Sequence, residues 1–473
     1  MPFRLYQALR LDAEKEWLME DLPFIEALER SLPKLDLPSA PALDLVRALV
    51  QMQGFLEVVC VRRFRKYFVA GLLYGAMLRL LVRTVEESAE VSETMQALHS
   101  GIAHNASLMN RDVADLVQFA AGQSDLRKLM EGSPEAVWAD LKSNPEASEL
   151  HERFRQFLEH HGSRRASGMG PVLSIPTWAE KPEIVVGLVQ TLLRSSAQHV
   201  CDDDSPYLAA KSRIAQLLDR GWKKWLGLSG LFLKSLQQSR QFLWVREESL
   251  HEGETQIAYA RNMALEIGRR LAGKGMLQQS EDVFHLRIEE IEPLLTGEAP
   301  LAVVRARLHV RKQQHQLWVM AARSGRSWAR IALGLPQLRV PTVSSGSKIL
   351  SGLAASSGSA LGLACVVHGQ DEFHKLGSGQ VLVCQATSPA WTPLFSLAAA
   401  VVTDIGGPLS HAAIVAREYG IPAVLGTEFA TLLIRDGQTV LVDGKAGRVE
   451  LRDDCEASSR HTEPVSSSLL HRA

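Results

Sequence analysis

The residues with the clearest chemical potential are a serine and a histidine set side by side after a glycine pair: Gly406 and Gly407, then Ser410 and His411. A histidine works as a nucleophile if its ring is held neutral and the group it takes up is stabilised. Ser410 is an N-cap candidate, which places His411 in the first turn of the helix that follows. The free amides and the dipole at a helix N-terminus favour an anion, so a phosphate carried on the imidazole would be stabilised there. The same field disfavours imidazolium. Two adjacent glycines allow a close backbone approach that side chains would block. Arg417 lies nearly two turns further along and could fold back towards a phosphate. The same pattern equally fits a capped turn with a structural histidine, and the physics alone leaves both readings open.

A strand over Ala398 to Thr403 is expected to deliver this turn, and a helix over Ser410 to Tyr419 to follow it. Gly420 is placed to cap that helix, and Pro422 prevents its continuation. Short β-branched runs (ACVV, QVLVC, AAAVVT, PAVLG, QTVLVDG) alternate with turn signals such as GSG and RDGQ, which predicts a small α/β domain over residues 358–453. Residues 336–357, rich in Gly, Ser and Pro, read as a flexible linker leading into it. The polar tail 454–473 reads as disordered. Residues 1–335 have another texture: Leu236, Phe242, Leu243, Ile257, Met263, Ile267 and Leu271 recur at helical spacing, and Gly273 and Gly275 supply a stop. Strand patterns are scarce there, so a large all-α region is expected to precede the α/β domain.

Composition narrows the function classes. A net charge of -1 gives no general attraction to nucleic acid or to a membrane surface. The five cysteines are far apart with no CxxC pair, which fits reduced thiols and neither a disulfide framework nor a zinc site. The apolar stretch from Tyr67 to Val82 is interrupted by Arg79 and reads as a buried helix, and no secretory signal is visible. A cytoplasmic location is expected, with no metal bound by the chain itself.

The segment TDIGGPLSHAAIVAREYGIPAVLGT closely resembles the swivelling phosphohistidine domain of the PEP-utilising enzymes, which include pyruvate phosphate dikinase, phosphoenolpyruvate synthase and the rifampicin phosphotransferases. Thr403, Gly406, Gly407, Ser410, His411, Ala416, Arg417, Glu418, Gly420, Ile421, Pro422, Ala423 and Val424 stand where that signature has its elements. GLAASSGSALGLACVV, SGQVLVCQATSPAWTPL and IRDGQTVLVDGKAGRVEL resemble its flanks. The resemblance implies that His411 carries a phosphoryl group, that Thr403 and Ser410 hydrogen-bond it, that Arg417 pairs with its charge and that the glycines expose it. It also implies a shuttle that swings between a loading site and an unloading site.

The helical region resembles, more weakly, the substrate-binding domain of rifampicin-phosphotransferase-like proteins. The matching segments are FRQFLEHHGSRRASG, IPTWAEKPE and LWVREESLHEGETQIAYARNMALEIGRRLAGKGMLQQSEDVFHL. Candidate acceptor-site residues are Arg164, Arg246 and Glu247; each equally suits a solvated helix face. Either His160 or His161 could act as a general base, though being adjacent they cannot both face one site. Asp202–Asp204 could bind Mg²⁺ but reads first as a solvated acidic loop. The acidic residues usual after the family's G-x-R arginine are replaced here by ASGMGPVLS. Residues 1–335 show no pattern for the ATP-grasp-like domain that loads the histidine in this family. The expectation is therefore a phosphotransferase component, phosphorylated by a separately encoded ATP-grasp-type protein with ATP and Mg²⁺, and acting on a small-molecule hydroxyl. The alternatives are a phosphocarrier for phosphoenolpyruvate/pyruvate interconversion and a degenerate, non-catalytic binding or regulatory homologue.

Overall fold

The computed structural model describes residues 12–31, 35–63, 67, 69–87, 90–102, 105–165, 173–195, 205–323, 349–407 and 410–452. Asp202–Asp204, residues 336–348 of the expected linker and the tail 454–473 lie outside them.

The described residues up to 323 form helices and no strand, as the periodicity predicts. Among them are α1 (Ala42–Arg63), α2 (Val69–Arg83), α3 (Val91–Leu98), α4 (Asn105–Ala121), α5 (Pro134–Ser143), α6 (Ser148–His161), α7 (Glu183–Arg194), α8 (Ser205–Leu218), α9 (Leu228–Gly273), α10 (Ile288–Thr296) and α11 (Leu301–Arg323). The stretch read as amphipathic helices is the single helix α9, 46 residues and about 70 Å long at 1.5 Å per residue. It ends at Gly273, and Gly275 (φ 67°) completes the stop. Its buried side chains Leu236, Phe242, Leu243, Met263, Ile267 and Leu271 give it an apolar stripe along nearly its whole length. No described helix is long and apolar enough to cross a membrane.

The C-terminal part is an α/β domain with eight strands: β1 (Ile349–Ser351), β2 (Leu353–Ser356), β3 (Ser359–Val367), β4 (Val381–Cys384), β5 (Ala400–Thr403), β6 (Ala423–Leu425), β7 (Thr439–Asp443) and β8 (Arg448–Leu451). They run β1-β8-β7-β3-β4-β5-β6-β2, with β3 to β6 parallel and the flanks antiparallel. The linker reading fails over residues 349–356. They are strands because β8 and β6 supply ladder partners, Leu350 opposite Val449 and Ala354 opposite Val424, and composition alone does not register a partner. Only Gly352 separates β1 from β2, which lie at opposite ends of the order, so the sheet must roll up on itself. At Gly444 the chain passes so close to β2 that a Cβ would fall 2.0 Å from the Ser356 carbonyl oxygen.

Helix α12 (His411–Glu418) follows β5, and its apolar face docks the whole domain on the helical region. One buried cluster joins Met109, Val113 and Phe157 to Trp391, Leu394 and Ala412. Ile414 enters a second cluster with Met263 and Ile267 of α9. Polar pins surround this apolar seam. Gln96 Oε1 accepts from the Ser357 amide (2.9 Å), Asn110 Nδ2 donates to Tyr419 Oη (2.7 Å) and Gln370 Nε2 donates to the Pro176 carbonyl (3.0 Å).

Candidate active site

The local geometry around His411 follows from the cap. Ser410 is extended (φ -70°, ψ 159°), and its Oγ accepts from the Ala413 amide at 3.4 Å, which sets His411 as the first residue of α12. Gly420 (φ 64°) closes the helix, where the Ile421 amide donates to the Ala416 carbonyl. Before the helix, the Thr403 hydroxyl donates to the Ile405 carbonyl (2.9 Å), so it braces the turn after β5. Gly406 lies against Thr403 and Leu425, where a Cβ would fall 3.0 Å from the Leu425 Cβ; Gly407 faces open space.

The imidazole itself is not displayed to solvent, contrary to the expectation that the glycines expose it. His411 is 3% exposed and is enclosed from both domains. Its Nε2 lies 3.1 Å from Thr392 Oγ1, and that hydroxyl donates its proton to the Pro389 carbonyl (2.7 Å). Thr392 can therefore only accept from Nε2–H. On the other side Nδ1 lies 3.4 Å from Glu247 Oε2, on α9 of the helical part. Phe395 meets the ring edge-on, with centroids 6.4 Å apart.

Glu247 is buried and also pairs with Arg246. Arg164, 1% exposed, lies 3.7 Å from Glu254 and has Glu247 and Glu248 as further charged neighbours. Burial pushes the Glu254 carboxyl up to about 6 against the opposing pull of Arg164 and Arg165. Arg164, Arg246 and Glu247 are thus brought together at the face that meets His411. Arg417 is directed elsewhere: its Nε donates to the Ala355 carbonyl on β2 (2.8 Å), and burial holds its guanidinium down at about 10, with Arg79 adding to the effect.

The two histidines of α6 separate as their adjacency requires. His160 is exposed and contacts the Gln156 carbonyl, whereas His161 is buried and lies 2.7 Å from Asp112. Burial lowers the His161 ring, although the Asp112 hydrogen bond works against it. Thr392, Phe395, Arg165 and Glu254 were not singled out from the sequence. The first two sit in the TSPAWTPLF stretch, and nothing in its residue types points to the histidine they enclose.

Two segments of the chain match known family models. Residues 376–447 match the mobile domain of PEP-utilising enzymes, and residues 63–247 match the fourth domain of rifampicin phosphotransferase. The chain thus joins two segments similar to parts of PEP-utilising phosphotransferases, as the resemblance of its motifs implies. Over 342 residues it is 30% identical to the uncharacterized phosphotransferase YvkC of Bacillus subtilis (strain 168), covering 67% of this chain and 38% of that protein. It is 27% identical over 421 residues to the prodigiosin synthesizing transferase PigC of Serratia marcescens, covering 88% of this chain and 46% of that one. A rifampicin phosphotransferase of Streptomyces sviceus is 28% identical over 383 residues, 77% of this chain and 41% of the relative. The chain spans less than half the length of each of these relatives.

Proposed function

We propose that this chain is a phosphotransferase component in which His411 is transiently phosphorylated and passes the phosphoryl group to a small-molecule hydroxyl held by the helical domain. The observation that carries the reading is the docking of the His411 ring, from a separate α/β domain, onto Glu247 of α9. A histidine with a structural role alone needs no partner from another domain among buried arginines.

The acceptor has a site within reach. A cavity of about 520 Å³ lies along the first half of α9, lined by Tyr207, Lys211, Gln237, Arg240, Gln241 and Trp244 among others. Residues 237, 240, 241 and 244 share one helical face, and Glu247 continues that face a single turn on, where it meets His411. An acceptor in the cavity would thus extend towards the histidine. In the transfer the N–P bond breaks as a P–O bond to the acceptor hydroxyl forms. The electron pair returns to the ring nitrogen, and Glu247 is placed to receive the hydroxyl proton. Arg246 and Arg164 would neutralise charge on the group in flight, so catalysis is positioning plus electrostatics.

Loading requires another arrangement, because both ring nitrogens are engaged in the docked state. The α/β domain would leave this face, present His411 to an ATP-grasp-type nucleotide-binding protein on another chain, and return. ATP would donate its γ-phosphoryl group there, and Mg²⁺ held by the partner and the nucleotide would supply charge neutralisation. The test is labelling with γ-labelled ATP and such a partner. The reading expects acid-labile, base-stable label that His411→Ala abolishes, followed by loss of label to an added hydroxyl acceptor. Label on any other residue, or none with a competent partner, defeats it. Label that never leaves in the presence of cell metabolites points to the carrier or regulatory alternative.

A further inference from the structure

Next to the residues already discussed, Arg165 is 2% exposed, and neither of its terminal nitrogens, Nη1 or Nη2, has a hydrogen-bond partner among the described residues. Buried guanidinium groups are ordinarily paired, since an uncompensated charge away from water is costly. The nearby acids do not supply the missing contact. Glu180 is taken by Arg261, whose Nε donates to both of its oxygens (3.0 and 2.8 Å), and Glu254 Oε2 lies 3.7 Å from Arg164 and makes no hydrogen bond. The Arg165 fork is thus left without a hydrogen-bonded oxygen, with Glu254 as a charged neighbour only.

Other unsatisfied donors stand on segments that touch the Arg164–Arg165 main chain. The Arg165 carbonyl accepts from Ser388 Oγ at 3.3 Å, so the loop of the α/β domain around Ser388 sits directly on this residue. That loop contributes two more buried polar atoms without a partner, Thr387 Oγ1 and Trp391 Nε1. From the helical side Trp178, whose amide donates to the Arg164 carbonyl, adds its unpartnered Nε1. These are donors, with the hydroxyl able to serve as one, and they flank a seam formed only when the two domains are docked. A planar guanidinium with both terminal nitrogens free presents a fork suited to two oxygens of one group.

We propose that Arg165, with Thr387 and Trp391 across the seam, binds an oxyanion, a carboxylate or phosphate, and that the acceptor is accordingly an acidic small molecule. The inference deepens the proposed function and rests on the helical domain holding the acceptor. The oxyanion would complete a site that neither domain forms alone, and binding it would favour the docked state in which His411 meets Glu247.

The test uses the full, unphosphorylated chain, titrated separately with inorganic phosphate and with benzoate, by calorimetry and by thermal unfolding. At least one of them is expected to bind at a single site and raise Tm. Arg165→Met should weaken that binding at least tenfold, Arg165→Lys should weaken it less, and His411→Ala should leave it in place. Without an anion, Arg165→Met should melt no lower than the unsubstituted chain, because it removes a buried guanidinium whose terminal nitrogens make no hydrogen bond. Benzoate binding assigns the group to a carboxylate of the acceptor, whereas phosphate binding alone assigns it to a phosphoryl group. The proposal is overturned if neither anion binds or if binding survives Arg165→Met. It is equally overturned if Arg165→Met melts lower in the absence of anion and Arg165→Lys restores Tm, since the charge then has a structural partner. None of these measurements needs a loading partner, so failure of His411 to take label leaves their outcome unaffected.

Discussion

Substituting Glu247 by Gln tests the contact that joins the two domains at the histidine. Gln keeps the volume and one oxygen for Arg246 while removing the charge that faces Nδ1. With Nε2–H given to Thr392, the Nδ1 contact is a hydrogen bond when Nδ1 also carries a proton, and a hydrogen bond to a charged group contributes about 1.5–3 kcal/mol. The 3.4 Å separation is at the long end of the range, so the lower figure, about 1.5 kcal/mol, is the better expectation. That corresponds to roughly a tenfold larger fraction of molecules with the ring released. Diethyl pyrocarbonate, which acylates accessible imidazoles, reads this fraction without any loading partner when peptides are quantified by mass spectrometry. His160, exposed on α6, serves as the internal reference. His411 should react far more slowly than His160 in the unsubstituted chain, and Glu247→Gln should raise the His411/His160 ratio about tenfold. An unchanged ratio, or a His411 that already reacts as fast as His160, would refute the docking argument.

Three further outcomes follow from the geometry. Ser410→Ala removes the cap of α12 and should cost about 0.5–1 kcal/mol in denaturant unfolding, the low end of cap values because the bond is 3.4 Å. Gly444→Ala should cost at least 1–3 kcal/mol, since its Cβ would clash with the Ser356 carbonyl; a neutral result in the same assay would mean that β2 is not part of the fold. Asp404, whose carboxyl accepts from the Thr431 amide, is pushed up to about 6 by burial. Its unfolded value is near 4, so its contribution is fully present below about pH 4 and lost as pH rises through 6, and stability should fall across that window. Asp404→Asn should flatten this dependence, by roughly 2 kcal/mol between pH 4 and 7, measured by denaturant titration at each pH.

What was legible in the sequence was local. The cap at Ser410, the stop at Gly420 and the stripe of α9 each depend on residues within a few positions of one another, and each stands in the structure as read. Burial of His411 was not legible, because Thr392 and Glu247 reach it from other elements and no spacing rule links them to Ser410. Glu247 entered as a candidate only through a resemblance between helices. Arg417 shows the limit of spacing arguments, since a long side chain chooses among partners and this one reaches the Ala355 carbonyl. Residues 349–356 show the limit of composition: small residues beside glycine look like a tether until a neighbouring strand claims them.

The single residue between β1 and β2 has a mechanical consequence. A pull delivered at Ile349 acts first on β1, laddered to β8, and one residue later on β2, laddered to β6 at the other end of the order. Force entering there is divided between two edges of a rolled sheet and loads both ladders along their length, with no single row of bonds to open one after another. A load entering at Ile349 would therefore leave the position of His411 relative to its own loop unchanged.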